Sequence, residues 1–232
     1  MLNKPRQQVT IPFSELTEVD SFFKRHTNID LTNIPAKYGK DVLETRDLMI
    51  ESLTIEALYQ FFEIQDLTDA SVTISSDIIF SGKMPPKILK EASHCFCFVA
   101  SLKGYDQQIE TLDGTMKKYF YDIWGTSFIE NASTWLKRKI GQELNDYNLF
   151  YSPFWNPGQH QFELVNQRPI FELLSPSDIG LELTSHLKMI PIKSVSGIMG
   201  VFNTDNFTPL IPCDFCKLGK SCPASKSGCA NS

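Results

Sequence analysis

Apolar and polar residues recur along the first third of the chain in a pattern that is typical of helices. Residues 12–26 can start a helix at Ser14, and they place Lys24, Arg25 and His26 in its last turn, where basic side chains complement the helix dipole. In residues 36–64 apolar side chains return at helical intervals. This second segment predicts one long helix or two helices in sequence.

The middle of the chain changes to a pattern that favours strands. Residues 71–81 and 94–102 are rich in β-branched and aromatic side chains, and the prolines in the intervening "MPPKILKEAS" suit the start of a short helix. Residues 106–145 then return to a long helical repeat, which we expect to break near Gly114 and Gly125.

The last part of the pattern completes a mixed fold. A short apolar run at 149–153 is followed by a helix-like segment at 167–175 and by two strand candidates, 179–194 and 195–202. Helices followed by mixed strands and helices predict an α+β fold with a twisted, mostly antiparallel sheet flanked by helices. We expect three parts: an N-terminal helical segment (1–34), an α+β domain (35–205) and a cysteine-rich tail (206–232).

Composition and charge narrow the classes of function. The 232 residues are 42% hydrophobic and carry a formal net charge of −5, which argues against a surface for nucleic acid or anionic lipid. The sequence shows neither the features of a secretory signal nor an apolar run long enough for a membrane span. We therefore predict a cytoplasmic protein, in which thiols stay reduced.

Four of the six cysteines lie in the tail, at Cys213, Cys216, Cys222 and Cys229. Their spacing is C-x2-C-x5-C-x6-C, with glycine, proline and lysine between them, so the chain can turn around one centre. An iron–sulfur cluster, zinc and the absence of any metal are three alternatives. The single C-x2-C pair favours the cluster, and a 4Fe–4S cluster in particular, because zinc sites commonly use two such pairs. Cys95 and Cys97 alternate with phenylalanines in a predicted strand, which is typical of buried thiols.

Residues 149–201 contain four short pieces in sequence: "YSP", "IFELL", "IGLELT" and "MIPIKSVSGIMG". In their order and approximate spacing these pieces resemble the reactivation (AdoMet-binding) domain of cobalamin-dependent methionine synthase, particularly its small stand-alone versions. Residues 78–110 also look like the strand, helix and strand of that family, and the whole resemblance covers roughly residues 35–205. Stand-alone members often end in a cysteine-rich segment, as this chain does.

The resemblance implies a twisted antiparallel sheet and a surface that faces a corrinoid. In the family this domain helps to restore oxidised cob(II)alamin: one electron produces cob(I)alamin, and a methyl group from AdoMet traps it. The implied partner is a corrinoid or a corrinoid-dependent methyltransferase, together with a redox partner. An iron–sulfur centre on the tail could supply the electron, because cluster potentials reach several hundred millivolts below zero.

The chain departs from the family at the AdoMet motif, which is roughly R-x-S-P-G-Y. The arginine position is Phe150 and the glycine position is Phe154. A neutral ring cannot replace the bidentate partner of the AdoMet carboxylate, and the second ring fills space where backbone would approach the ligand. These two replacements argue against AdoMet binding.

Two groups of residues are the candidates for contact with a corrinoid. The first contains large rings and one histidine, which could cover a macrocycle face and its edge: Phe150, Tyr151, Phe154, Trp155 and His160. The second offers hydrogen-bond donors and close backbone approach at a strand: Lys193, Ser194, Ser196 and Gly197. The alternative for both groups is a structural role in the core or in a solvated loop.

The sequence therefore supports a leading hypothesis and two others. The leading one is an iron–sulfur accessory protein of corrinoid (vitamin B12) metabolism, typical of an anaerobe, which binds or docks on a corrinoid and assists one-electron reduction of cobalt. Such a protein could itself be a corrinoid reductase or reactivation factor. The second is a non-catalytic corrinoid carrier whose tail holds structural zinc, and the third is an AdoMet-dependent reactivation domain with a variant motif.

Overall fold

Nine strands and six helices are formed by the residues that the computed structural model describes, which are 2, 4–74 and 77–216. The strands are β1 (Gln7–Ile11), β2 (Thr54–Leu67), β3 (Ser71–Ile74), β4 (Ile78–Ser81), β5 (His94–Lys103), β6 (Phe150–Tyr151), β7 (Glu182–Leu183), β8 (Met189–Ile190) and β9 (Ser194–Phe202). The helices are α1 (Val19–Thr27), α2 (Ala36–Ser52), α3 (Met84–Ile88), α4 (Tyr105–Glu110), α5 (Thr115–Asn145) and α6 (Gln167–Leu174).

Seven strands form one antiparallel sheet. Its order is β4-β3-β2-β5-β9-β6, and β1 pairs with the first half of β2. The central ladders are β2 with β5, over 54–63 against 94–103, and β5 with β9, over 94–101 against 194–201. Strands β7 and β8 form a separate two-stranded hairpin. The predicted α+β class with a mostly antiparallel sheet is confirmed.

Each face of the sheet buries its own hydrophobic core. Helices α1, α2 and α5 cover the first face, where Trp124 stacks on Phe23 with ring centroids 3.9 Å apart. Helices α3 and α6 cover the second face, where Ile170 and Leu174 pack with Ile198. Because successive residues of a strand point to opposite faces, β5 and β9 supply side chains to both cores.

Double burial explains why the hydrophobic pattern misassigned β2. Residues 54–64, predicted to be helical, form most of β2. Leu58 belongs to the second core, whereas Ala57 and Tyr59 belong to the first. A strand that is apolar on both faces loses its two-residue alternation, and its apolar spacing can then imitate a helix.

Other boundaries differ from the predictions in smaller ways. The first helix begins at Val19 rather than Ser14, and residues 7–11, which we placed in a helical segment, form β1 of the main sheet. Helix α5 does break from α4 at Gly114, but it continues through Gly125. The candidate strand 179–194 is instead the β7–β8 hairpin followed by the turn that leads into β9.

Several predicted elements are confirmed. Strands β5 and β9 and helices α3 and α6 lie where the pattern placed them. Cys95 and Cys97 are fully buried on the second face, with their Sγ atoms 3.7 Å apart, and burial raises the pKa of the Cys97 thiol above its ordinary value. These two thiols are core residues, as predicted.

Candidate functional site

A groove of about 460 Å³ lies where helix α5, the start of β9 and the loop after β6 meet. Helix α5 contributes Thr126, Glu130, Ser133 and Thr134, and the loop contributes Asn156 and Gln159. The remaining wall comes from Ile192–Val195, with Phe22 and Ile129 as further apolar contacts. The groove therefore combines neutral polar groups with apolar walls and two charged side chains, Glu130 and Lys193.

Lys193 is held against α5 by several contacts. Its Nζ donates to Thr126 Oγ1 at 2.8 Å and lies 2.7 Å from Asp122 Oδ1. The hydroxyl of Tyr105 donates to the same carboxylate oxygen at 3.0 Å, and the Lys193 ammonium lies 5.6 Å from the centroid of the Tyr105 ring. Burial, with the Asp122 charge as a smaller cause, raises the pKa of Tyr105 above its ordinary range. Tyr105 is therefore a neutral hydrogen-bond donor throughout the physiological range.

Glu130 is the acidic counterpart at the same groove. Its Oε2 lies 3.2 Å from Nε2 of His26, which comes from the last turn of α1. Thr126 and Glu130 are four residues apart on α5, so they lie on one face of the helix about one turn apart. The groove thus presents the Lys193 ammonium beside Thr126 and the Glu130 carboxylate about one helical turn further along α5.

The other predicted residues of β9 are built into the sheet. The Ser194 hydroxyl donates to Pro191 O at 2.6 Å and contacts Ser101 Oγ at 2.9 Å. Ser196 is 2% exposed, and its Oγ has no hydrogen-bond partner among the described residues. Its carbonyl accepts a bond from Asn156 Nδ2 at 2.8 Å, which ties the groove loop to the strand.

Gly197 is required by packing. A Cβ at this position would lie 2.6 Å from Cε1 of Phe98 and 3.0 Å from the carbonyl oxygen of Trp155. The glycine therefore lets the Phe98 ring and the segment after β6 approach β9. The sequence predicted that a ligand would approach the backbone at Gly197; in the structure Phe98 and the Trp155 carbonyl of the same chain occupy that space.

The four predicted rings do not share one surface. Phe150 is 38% exposed and lies opposite Phe202, at the far end of β9 from Lys193. Tyr151 is half-buried and packs against the first core, where the ring of Phe154 stacks on Phe98 with centroids 4.3 Å apart. Trp155 is 1% exposed in the second core. The four side chains therefore do not form the single ring-lined surface that the sequence predicted.

His160 and the tail both meet Trp155. The His160 ring packs edge-on to Trp155 with centroids 6.5 Å apart, and burial lowers the pKa of His160. Phe215 also packs edge-on to the same indole, with ring centroids 5.6 Å apart. Phe215 ends a short 3₁₀ turn, Pro212–Phe215, and Leu210 packs on the second core beside it.

Two of the four predicted metal ligands belong to this turn. The backbone N–H of Cys216 donates to Cys213 O at 3.2 Å, so the two residues bracket the contact of Phe215 with Trp155. Cys213 is engaged in a disulfide bond, and the Cys216 thiol is free and half-buried. Cys222 and Cys229 lie outside the described residues. Within the described part of the chain, no three potential ligands come together at a metal site.

Sequence reasoning missed most residues of the groove. Thr126 and Glu130, which line the groove, and Asp122, which contacts Lys193, lie inside a long helical repeat, where polar residues indicate only a solvated face. The available signal was Gly125, which we took for a break in the helix. A Cβ there would lie 2.7 Å from the Tyr105 ring and 3.0 Å from Lys193 Cγ, so this glycine marks a place where another segment crosses the helix.

Comparisons with known proteins give a likeness in fold alone. No family model and no curated protein matches the chain. A solved structure, the MetH reactivation domain bound to AdoHcy, superposes with a TM-score of 0.62 at 14% sequence identity, covering 88% of this chain and 81% of that one. No helix among the described residues is long and apolar enough to cross a membrane.

From the superposition, the chain has the fold of the MetH reactivation domain, as the resemblance in its sequence predicted.

Proposed function

We propose that this protein takes part in the reactivation of a corrinoid-dependent methyltransferase. The observation that carries the proposal is the fold match to the MetH reactivation domain over 88% of the chain. The motif "SVSGIMG", on which the sequence resemblance most depends, forms most of β9, and its first two residues, Ser194 and Val195, line the groove. The likeness and the groove therefore concern the same part of the molecule.

We propose an S-adenosyl compound as the ligand of the groove. The matched domain was solved with AdoHcy, and a cleft of about 460 Å³ falls within the usual range for small-molecule sites. Apolar walls suit a base, whereas the side chains of Asn156, Gln159 and Ser133 suit hydroxyl and amino groups. Phe150 and Phe154, which replace the arginine and the glycine of the family motif and so argued against AdoMet binding, do not line the groove.

The corrinoid is the substrate of the proposed reaction. One electron converts cob(II)alamin to cob(I)alamin, and the AdoMet methyl group then passes to cobalt while AdoHcy leaves. Of the ring residues predicted to face a corrinoid, Phe150 is exposed and His160 is partly exposed. We propose these two as contacts, because Trp155 is buried.

We further propose that the tail cysteines hold a redox centre. Cys213 and Cys216 lie on one tight turn, an arrangement that suits two ligands of a single centre once both sulfurs are reduced thiolates. An iron–sulfur cluster there would supply single electrons at low potential. The turn lies beside Trp155, whose neighbours Asn156 and Gln159 line the groove. A redox centre at this turn would therefore lie close to the loop that borders the ligand site.

The reaction itself provides the test. Protein purified without oxygen is mixed with cob(II)alamin, AdoMet and titanium(III) citrate, and methylcobalamin is followed by its visible spectrum. We expect the chain to accelerate methylcobalamin formation, with one AdoHcy released for each methyl group transferred. A rate equal to that without protein would contradict the proposal.

The role of the tail is tested separately. A Cys213→Ser, Cys216→Ser variant should retain AdoHcy binding and lose both iron and most of the rate. Iron and acid-labile sulfide, counted per chain in the parent protein, distinguish a cluster from structural zinc. Zinc without iron would contradict the redox centre and support the carrier hypothesis.

A further inference from the structure

Lys193 is a basic side chain that the fold fixes in place at the groove. Its side chain is 13% exposed, and its ammonium contacts Asp122 Oδ1 at 2.7 Å and Thr126 Oγ1 at 2.8 Å. A lysine ammonium carries three N–H donors. Among the described residues two of these are used, which leaves one N–H for a ligand in the groove that the residue lines.

The surroundings of Lys193 hold it in one position. Thr126 Oγ1 accepts the Lys193 bond and itself donates to Asp122 O at 3.1 Å, so the acceptor is fixed by the helix. Asp122 is also bonded by the Tyr105 hydroxyl at 3.0 Å, which divides its charge between two donors. The Asp122 side chain is 50% exposed, so water screens its attraction for the ammonium. The ammonium therefore keeps a capacity for a second anionic partner.

Gly125 is what allows this arrangement. The stem of Lys193 and the ring of Tyr105 both lie where a Cβ of residue 125 would point, at 3.0 and 2.7 Å respectively. Any larger residue at this turn of α5 would push the lysine stem away from Thr126. Because residue 125 has no side chain, the stem of Lys193 can pass across the surface of α5 and reach the groove.

We propose that Lys193 receives the carboxylate of the groove ligand. This inference rests on the proposed function, and it specifies that the ligand class is S-adenosyl compounds with an intact amino-acid moiety. A carboxylate that meets a positioned ammonium forms a charge-assisted hydrogen bond, which is stronger than a neutral one. The arginine of the family motif cannot serve here, because its position is Phe150, at the opposite end of β9.

The test compares two ligands that differ in the amino-acid moiety. Isothermal titration calorimetry of the full chain gives Kd for AdoHcy and for 5′-methylthioadenosine, which keeps the nucleoside and lacks both the carboxylate and the amino group; the Lys193 variant then isolates the part that depends on the carboxylate. We expect the parent protein to prefer AdoHcy by about ten- to a hundredfold, the range for a hydrogen bond to a charged group. Lys193→Met should remove most of that preference and leave the affinity for methylthioadenosine nearly unchanged.

Two further variants make the test specific. Lys188→Met removes an exposed lysine of the neighbouring hairpin and should keep the preference of the parent protein. Thr126→Val keeps the lysine but removes its hydrogen-bond acceptor, so the preference should fall without disappearing. This variant also covers the case in which Lys193→Met fails to fold, which circular dichroism would detect.

The outcomes separate this inference from the proposed function. If the parent protein binds both ligands equally, or if Lys193→Met and Thr126→Val both keep the full preference for AdoHcy, the role of Lys193 is wrong and the groove remains a nucleoside site. If the parent protein binds neither ligand, both the proposed ligand and the role of Lys193 are wrong. Loss of the preference in Lys193→Met with retention in Lys188→Met supports the inference.

Discussion

Individual residues show how little free space surrounds the strand that borders the groove. A Cβ added at Gly197 would lie 2.6 Å from the Phe98 ring and 3.0 Å from the Trp155 carbonyl oxygen. The Ser194 hydroxyl donates to Pro191 O, and the Ser196 carbonyl accepts a hydrogen bond from Asn156. The motif thus builds the wall of the site. The basic side chain at the site comes from Lys193, one residue before the strand.

Gly197→Ala should destabilise the protein. The added Cβ would lie 2.6 Å from a ring atom of Phe98, and overpacking of a filled core costs about 1–3 kcal/mol. The free energy of unfolding in urea measures the effect. Gly39→Ala is the matched control, because nothing lies within 4 Å of its added Cβ in α2 and alanine there should be neutral or stabilising by up to about 1 kcal/mol. Equal stability of the two variants would contradict the packing.

His160 should make stability depend on pH. Burial lowers its pKa in the folded protein, so below about pH 6.5 the unfolded chain binds a proton that the folded chain resists. The contribution of His160 to stability is full above that pH and is lost as pH falls toward the lowered pKa. His160→Asn, which tolerates the positive φ of 48°, should therefore lose less stability between pH 7.5 and 5.5 than the parent protein. Identical losses, measured by urea denaturation at both pH values, would count against this account.

At the scale of elements, helices α3 and α6 and strands β5 and β9 were predictable from composition and periodicity, although β5 and β9 supply side chains to both cores. Strand β2 was not predicted, because its apolar residues for the two cores, such as Leu58 and Phe61, fall at helix-like intervals directly after helix α2. The groove could not be predicted because Thr126 and Glu130 become part of one site only when Lys193, over 60 residues later, crosses α5 at Gly125.

The turn Pro212–Phe215 is the element that connects the tail to the site. Phe215→Ala removes the ring that packs on Trp155, so the Trp155 indole should become wetter and its fluorescence should shift to the red. The loss of stability should be roughly 1 kcal/mol, because Phe215 is only partly buried. Phe207→Ala, which removes a ring stacked on Phe202 rather than on Trp155, is the control. An unchanged emission spectrum in Phe215→Ala would show that the turn does not pack on Trp155.

At the scale of the whole molecule, the sheet separates the groove from the tail, and one loop joins them. Helix α5 and the groove lie on the face of the first core, whereas Leu210 and Phe215 pack on the second. Trp155 belongs to the second core, and the residue after it, Asn156, lines the groove. The backbone of Trp155 and Asn156 therefore connects the core that Phe215 packs on to the wall of the groove.

Stoichiometric binding of AdoHcy at the groove tests the central claim most directly. Equilibrium dialysis with radiolabelled AdoHcy should give one site per chain in the parent protein and in Thr115→Trp, an exposed change in the first turn of α5. Ser133→Trp places an indole in the groove and should abolish binding while the protein remains folded. Full binding by Ser133→Trp, or no binding by the parent protein, would contradict the account.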